Sequence, residues 1–148
     1  MTLCVDVNVL LHAAFEVSPH HAQSASLLRE WRKSGEVVLV PSAVALGFVR
    51  LATGRRLYAE PMTDEGALAF IDVLLGSRTV ELVEPGSRHW VLFSDLVGQH
   101  GLRGAEVTDA YLAAIAIERG ATWVSYDRGF ARFSGLSWVN PAESDLTG

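Results

Sequence analysis

The sequence predicts an α/β fold, a three-layer α/β/α sandwich around a mainly parallel central sheet, built as one domain over residues 1–148. Two observations predict it. Short β-branched apolar runs alternate along the chain with longer segments of helical periodicity, which is the pattern of βαβ units. In addition, 49% of the residues are hydrophobic and only 20% are charged, enough at this length for a single sizeable core. No internal repeat, linker or low-complexity tract interrupts the alternation.

Residues 3–11 form an apolar, β-branched run of the kind found in a strand buried on both faces. Ser18-Pro19 predicts an N-cap followed by proline at the first helical position. The helix continues through Ala22, Ala25, Leu28 and Trp31 to a stop at Gly35. Residues 37–40 read as a second strand ended by Pro41, and 42–53 as a helix carrying Val44, Phe48 and Leu51. Thr63 is placed to cap the next helix, with Asp64 and Glu65 in the first turn where the helix dipole favours acids. Residues 79–83 predict a short strand, and Ser87 a cap for a helix reaching about Gln99. A glycine-containing loop, 101–105, leads into a helix over 107–119 that Gly120 terminates. Residues 121–126 predict a strand and 136–139 a weak last one.

Composition excludes several classes of protein. No basic residue precedes the first apolar run and Asp6 interrupts it, so no secretory signal is expected. No apolar stretch is long enough to span a bilayer. The lone cysteine, Cys4, has no internal partner and is expected to act as a small buried hydrophobe. A cytoplasmic protein is the expectation. Net charge is −5, so bulk electrostatics do not recruit nucleic acid. The basic set is eleven arginines and one lysine, Lys33. Arginine suits bidentate phosphate contacts and stacking on bases, and a GC-rich genome produces the same bias.

Three aspartates stand at predicted element ends: Asp6 in Leu3-Cys4-Val5-Asp6-Val7-Asn8-Val9, Asp109 opening Thr108-Asp109-Ala110-Tyr111, and Asp127 closing Trp123-Val124-Ser125-Tyr126-Asp127. In an open parallel sheet the C-terminal strand ends and the helix starts that follow them share one edge, where such folds build their sites. Three acids at one edge repel unless a cation lies between them. Hard oxygen donors select Mg²⁺ or Mn²⁺, and the five histidines (12, 20, 21, 89 and 100) show no zinc-ligand spacing. Singly, each acid has an ordinary reading: Asp109 as a helix-start acid, Asp127 as a turn former in Asp127-Arg128-Gly129. Asp6 has none, since nothing at a strand end requires a carboxylate.

The order and spacing of these motifs resemble the PIN-domain ribonucleases, in particular the VapC toxins of bacterial type II toxin–antitoxin pairs, over nearly the whole chain. Val5-Asp6-Val7-Asn8-Val9-Leu10-Leu11 is similar to the first family motif, the run from Val107 to Ala116 to its third acidic motif, and Ser125-Tyr126-Asp127-Arg128-Gly129-Phe130 to its last. The stretch from Pro41 to Thr53 is similar to the second helix segment of mycobacterial-type members. The resemblance implies Mg²⁺ (with Mn²⁺ as substitute) on Asp6 and Asp109, with Asp127 contributing directly or through water. It implies supporting roles for Asn8, which would orient Asp6, and for the Ser125 hydroxyl. It also implies an RNA substrate, a homodimer and a small VapB-type antitoxin whose arm blocks the acidic groove. One departure stands out: many members carry a glutamate in the second helix segment where this chain has Gly47. Arg50 shares the face of Gly47 and is a candidate for the site, as phosphate contact or as counter-charge. Glu106 is the candidate replacement acid if its helix begins early, and a solvated loop residue otherwise.

The leading expectation is a Mg²⁺-dependent endoribonuclease toxin. A PIN-fold binding module that has lost catalysis with the glutamate is the rival. A haloacid-dehalogenase-like phosphotransferase is disfavoured, because that chemistry needs a second aspartate where Asn8 stands and a lysine near the site. Arg55, Arg56, Arg128 and Arg132 are candidate groove cations or solvated arginines. Trp31, Trp90, Trp123 and Trp138 are expected in the core or at a dimer contact.

Overall fold

A computed structural model describes residues 1–144. Five strands form one sheet in the order β3-β2-β1-β4-β5, and every neighbouring pair is parallel. The strands are β1 (Thr2–Val5), β2 (Val37–Pro41), β3 (Val80–Val83), β4 (Thr122–Val124) and β5 (Trp138–Val139). Six helices connect them: α1 (Val7–Ala14), α2 (His21–Ser34), α3 (Ser42–Thr53), α4 (Asp64–Leu75), α5 (His89–His100) and α6 (Ala105–Glu118). A 3₁₀ helix, Arg128–Arg132, links β4 to β5.

The connections from β1 to β2 and from β2 to β3 step one way across the sheet, and the return from β3 to β4 steps the other way. Right-handed crossovers therefore send α1–α4 to one face and α5–α6 to the other. Observed packing follows suit: α1 meets α2 and α3, α3 meets α4, and α5 pairs with α6. The direction of winding reverses between β1 and β4, the topological switch point where open α/β sheets place their ligands. The core fills both layers with Val5, Val38, Val40, Trp123 and Val124 from the strands and Leu10, Trp31, Phe48 and Ile115 from the helices, all buried.

The first apolar run is divided differently from the expectation. Residues 3–11 are not one strand: β1 stops at Val5 and α1 begins at Val7. A short apolar run does not distinguish strand from buried helix, and α1 is apolar because it packs between the sheet, α2 and α3. The break falls on Asp6, whose Oδ1 accepts the Val7 N–H at 2.7 Å and caps the helix. So Asp6 does have a structural use, contrary to its sequence reading. Ser18-Pro19 belongs to the preceding turn, and α2 starts at His21 after an N-cap, His20, whose side chain makes no capping bond. Ser87 does not cap α5 either. Instead the Glu118 carboxylate reaches across from α6 to accept the N–H groups of Gly86 and Arg88, both at 2.8 Å. Helix α6 opens two residues earlier than expected, at Ala105. The Thr63 cap of α4 is present, accepting the Gly66 N–H at 3.0 Å. Gly35 and Gly120 stop their helices in the left-handed region at φ 79° and 61°, a conformation glycine adopts without steric cost.

Candidate active site

The C-terminal ends of β1 and β4 lie side by side, with Val5 paired to Val124, and the chain leaves both strands through chemistry-bearing residues. The Asp6 N–H continues the ladder to Val124 O at 3.0 Å, and Ser125 N–H does the same to Val139 O at 3.1 Å. Asp6 and Ser125 are thereby fixed by the backbone before any side-chain contact forms.

Their side chains close a small network. Ser125 Oγ donates to Asp6 Oδ2 at 2.6 Å, and accepts from Asn8 Nδ2 at 3.1 Å and from Asp127 N–H at 3.0 Å. A hydroxyl offers one donor and two acceptor sites, so Ser125, fully buried, is saturated. It holds Asp6 and the Asp127 backbone together and has no proton or lone pair left for chemistry of its own. Asn8 works from both ends of its amide. Its Nδ2 reaches Ser125 and, at 3.4 Å, Asp6 Oδ2, while its Oδ1 accepts the Tyr126 N–H at 3.2 Å. Through these contacts Asn8 and Ser125 orient the Asp6 carboxylate. Trp138 adds a brace that the sequence reading missed, donating from Nε1 to Ser125 O at 3.1 Å.

Asp6 is 5% exposed, and its carboxyl is pushed up to about 6. Burial is the main cause; the Ser125 and Val7 hydrogen bonds oppose it, and repulsion from Asp127 and Asp109 adds to it. That repulsion places the three aspartates in one electrostatic neighbourhood. Asp109 sits a full turn inside α6 and so is not a cap; Gly104 holds that position. Its carboxyl is also raised, first by burial and then by Asp127, with Arg132 acting against both. Asp127 opens the 3₁₀ helix by accepting the Gly129 N–H on Oδ1 at 2.8 Å, as its turn reading predicted.

The acids beyond these three take other roles. Glu106 does lie in the first turn of α6, but it faces Arg132 Nη1 at 3.5 Å, and Arg132 Nη2 donates to Asp109 Oδ2 at 2.8 Å. Arg132, read as either a groove cation or a solvated arginine, is thus a counter-charge for two acids of α6. Arg128 pairs with Glu143. Arg50 is exposed near the end of α3, and its guanidinium enters none of the site's described hydrogen bonds or ion pairs. A side chain added at Gly47 would meet Val7 Cγ2 at 3.8 Å, ordinary contact distance. Position 47 therefore borders Val7, the residue next to Asp6. Of the four tryptophans, Trp31 and Trp123 are buried, Trp138 braces the site and Trp90 is 68% exposed. Cys4 is buried, and its thiol is pushed up to about 12, chiefly by that burial.

The donor chemistry suits a hard divalent cation: oxygen ligands only, mutually repelling, one of them nearly removed from water. Among the described residues no three His, Cys, Asp or Glu side chains are gathered as a ready-made ion cage, and Arg132 takes up one oxygen of Asp109.

The sequence model of the PIN domain matches residues 3–136. The chain belongs to the PIN-domain family. Within it the relatives are VapC ribonucleases. The VapC ribonuclease Mb2897 of Mycobacterium bovis is 40% identical over 141 residues, 95% of this chain and 96% of that one. Among solved structures, VapBC2 of Rickettsia felis bound to a promoter DNA fragment aligns with a TM-score of 0.71 at 19% identity, covering 95% of this chain and 98% of that one. VapC20 of Mycobacterium tuberculosis, described as a toxin cleaving the sarcin-ricin loop, aligns at 0.65 and 18% identity, covering 89% and 95%. At these identities the solved structures establish the fold alone; the sequence relatives are named as VapC ribonucleases. No described helix is long and apolar enough to cross a membrane.

Proposed function

We propose that this PIN domain is a Mg²⁺-dependent endoribonuclease, Mn²⁺ substituting, and the toxin of a type II pair acting in the cytoplasm. Asp6, Asp109 and Asp127 are its catalytic acids. The observation that carries this reading is Asp6, held by Ser125 and Asn8 at the switch point, its carboxyl raised chiefly by burial with Asp127 and Asp109 adding to it. A carboxylate so desolvated is costly in isolation, and a bound cation offsets that cost.

Asp6 and Asp109 would hold the ion, with Asp127 contributing directly or through water. When bound, the metal supplies Lewis-acid stabilisation of the phosphate and a water of lowered pKa. The chain's own residues do the positioning. Val7 N–H and Ser125 Oγ each engage one oxygen of Asp6, fixing its carboxylate plane. Asn8 transmits that placement to the backbone ahead of Asp127. Arg132 balances Asp109 with a charge-assisted bond, and its release from Asp109 would accompany metal entry. The partners we infer are RNA, a VapB-type antitoxin and a second copy of this chain; exposed Leu46 on α3 supports the last.

The decisive test is cleavage of bulk bacterial RNA by the purified protein with Mg²⁺ or Mn²⁺, beside EDTA and Asp6→Asn controls. Cleavage that requires both metal and Asp6 supports the reading. Gly47 favours the rival, a PIN fold retained for binding RNA or protein. Metal binding by calorimetry without cleavage of any RNA would select it.

A further inference from the structure

We infer that His12, His20 and Tyr126 form a stacking subsite for one unpaired base of the RNA, next to the scissile phosphate. This rests on the ribonuclease reading and extends it to substrate recognition. The three rings touch one another: His20 stacks on Tyr126 at 4.3 Å between centroids and 13° between planes. His12 meets both edge-on, each at 5.0 Å. Their position is set by the site. Tyr126 lies between Ser125 and Asp127, and its N–H is held by the same Asn8 amide that contacts Asp6. His12 is four residues after Asn8 on α1 and shares its face.

The rings are rigid, and the structure of the protein makes limited use of them. Tyr126 Oη donates to Gln23 Oε1 and pairs with the buried Ser24 hydroxyl, both at 2.8 Å, so its ring is fixed by α2. His20 occupies the N-cap position of α2 without capping it. All three residues are only partly buried, unlike the core aromatics Trp31, Trp123, Phe130 and Phe133. No carboxylate pairs with either histidine among the described residues, and burial, then the neighbouring His20, lower the His12 imidazole from its ordinary value. Pre-ordered aromatic rings beside an acidic centre suit a base rather than a phosphate. Unpaired bases stack on such rings without strong sequence preference.

The test is steady-state cleavage of short unpaired oligoribonucleotides, each compared with a version made abasic at single positions. His20→Ala and His12→Ala are expected to raise KM about tenfold, the loss of one stacked base, with kcat within about twofold. His20→Phe is expected to restore KM. An abasic substitution at one position is expected to cost the native protein the same factor and the alanine variants nothing further. Thermal melts separate folding from recognition, because a purely structural role lowers the melting temperature without this KM pattern. Unchanged KM in both alanine variants, or equal abasic losses in native and variant proteins, overturns the subsite alone. Failure of the native protein to cleave any RNA overturns the ribonuclease reading and the subsite with it.

Discussion

Asp6 caps α1, and the metal-ligand role proposed for it places the opposite demand on its charge. As the cap of α1 it needs only an acceptor oxygen, which asparagine also supplies. As a metal ligand it needs the charge, and burial makes that charge costly. The folded carboxyl titrates near 6 against an ordinary 3.8, so the native state holds its proton more tightly than the unfolded chain. Its contribution to stability is therefore fully present below the ordinary value and is lost as pH rises through about 6, a loss of about 3 kcal/mol. In EDTA, denaturant unfolding of the native protein between pH 4 and 6 is expected to show this decline. Asp6→Asn is expected to remove it, and to abolish metal binding in parallel calorimetry. A decline of equal size in Asp6→Asn would assign the pH dependence to other groups. The other informative residue is Gly47. A side chain there meets only Val7 at ordinary contact distance, and glycine inside a helix costs about 0.5–1 kcal/mol relative to alanine. Gly47→Ala is expected to raise stability by about that amount and leave Mg²⁺ affinity unchanged. Gly47→Glu is expected to tighten Mg²⁺ binding about tenfold or more by adding a hard ligand. Equal affinities for the two variants would place position 47 outside the ligand set.

Elements decide how much of this was legible. The helices over 42–53 and 64–75 were visible because each has an unambiguous start or stop: Pro41 before Ser42, Thr63 before Asp64. The strand at 37–40 was visible because it is β-branched and bounded. Helix α1 was not, since in residues 3–11 strand and helix are equally apolar and only the Asp6 cap separates them. The starts of α2 and α5 were misplaced for a different reason. Ser18 and Ser87 have the composition of caps, but the turn leading into α5 is held by Glu118, about thirty residues away in sequence, and no local pattern encodes that. Asp6 and Asp127 do stand at element ends as read, whereas Asp109 lies a turn inside α6; the company the three keep was not legible. The contact of Arg132 with Asp109 and Glu106 joins the 3₁₀ helix to α6, and its partners lie beyond any sequence spacing rule. Because Arg132 shares Asp109 with any incoming ion, Arg132→Gln is expected to tighten Mg²⁺ binding severalfold, on the order of one charge-assisted bond less to break. Calorimetry in low salt measures it. Weaker binding in Arg132→Gln would instead make the arginine a clamp that keeps Asp109 oriented.

At the scale of the molecule, the site follows from topology: the winding reverses between β1 and β4, and their ends bring Asp6, Ser125 and Asp127 together while α6 delivers Asp109 alongside. The same topology leaves α3 half covered. It buries Val44, Phe48 and Ala52 towards the core, whereas Leu46 is 69% exposed and sits one residue before Gly47. A dimer formed on this face would use the helix whose Gly47 lies against Val7, the neighbour of Asp6. A stable interface removes about 800 Å² from each partner and concentrates its energy in a few buried apolar anchors. A charge at such an anchor is left unpaired and desolvated. Leu46→Glu is accordingly expected to convert the proposed dimer to a monomer in light scattering at micromolar concentration, with helix content by circular dichroism unchanged. The native mass is the control: a native monomer refutes the dimer outright. A variant that remains dimeric moves the contact away from α3, to another exposed apolar group such as Trp90 and Val91 on α5.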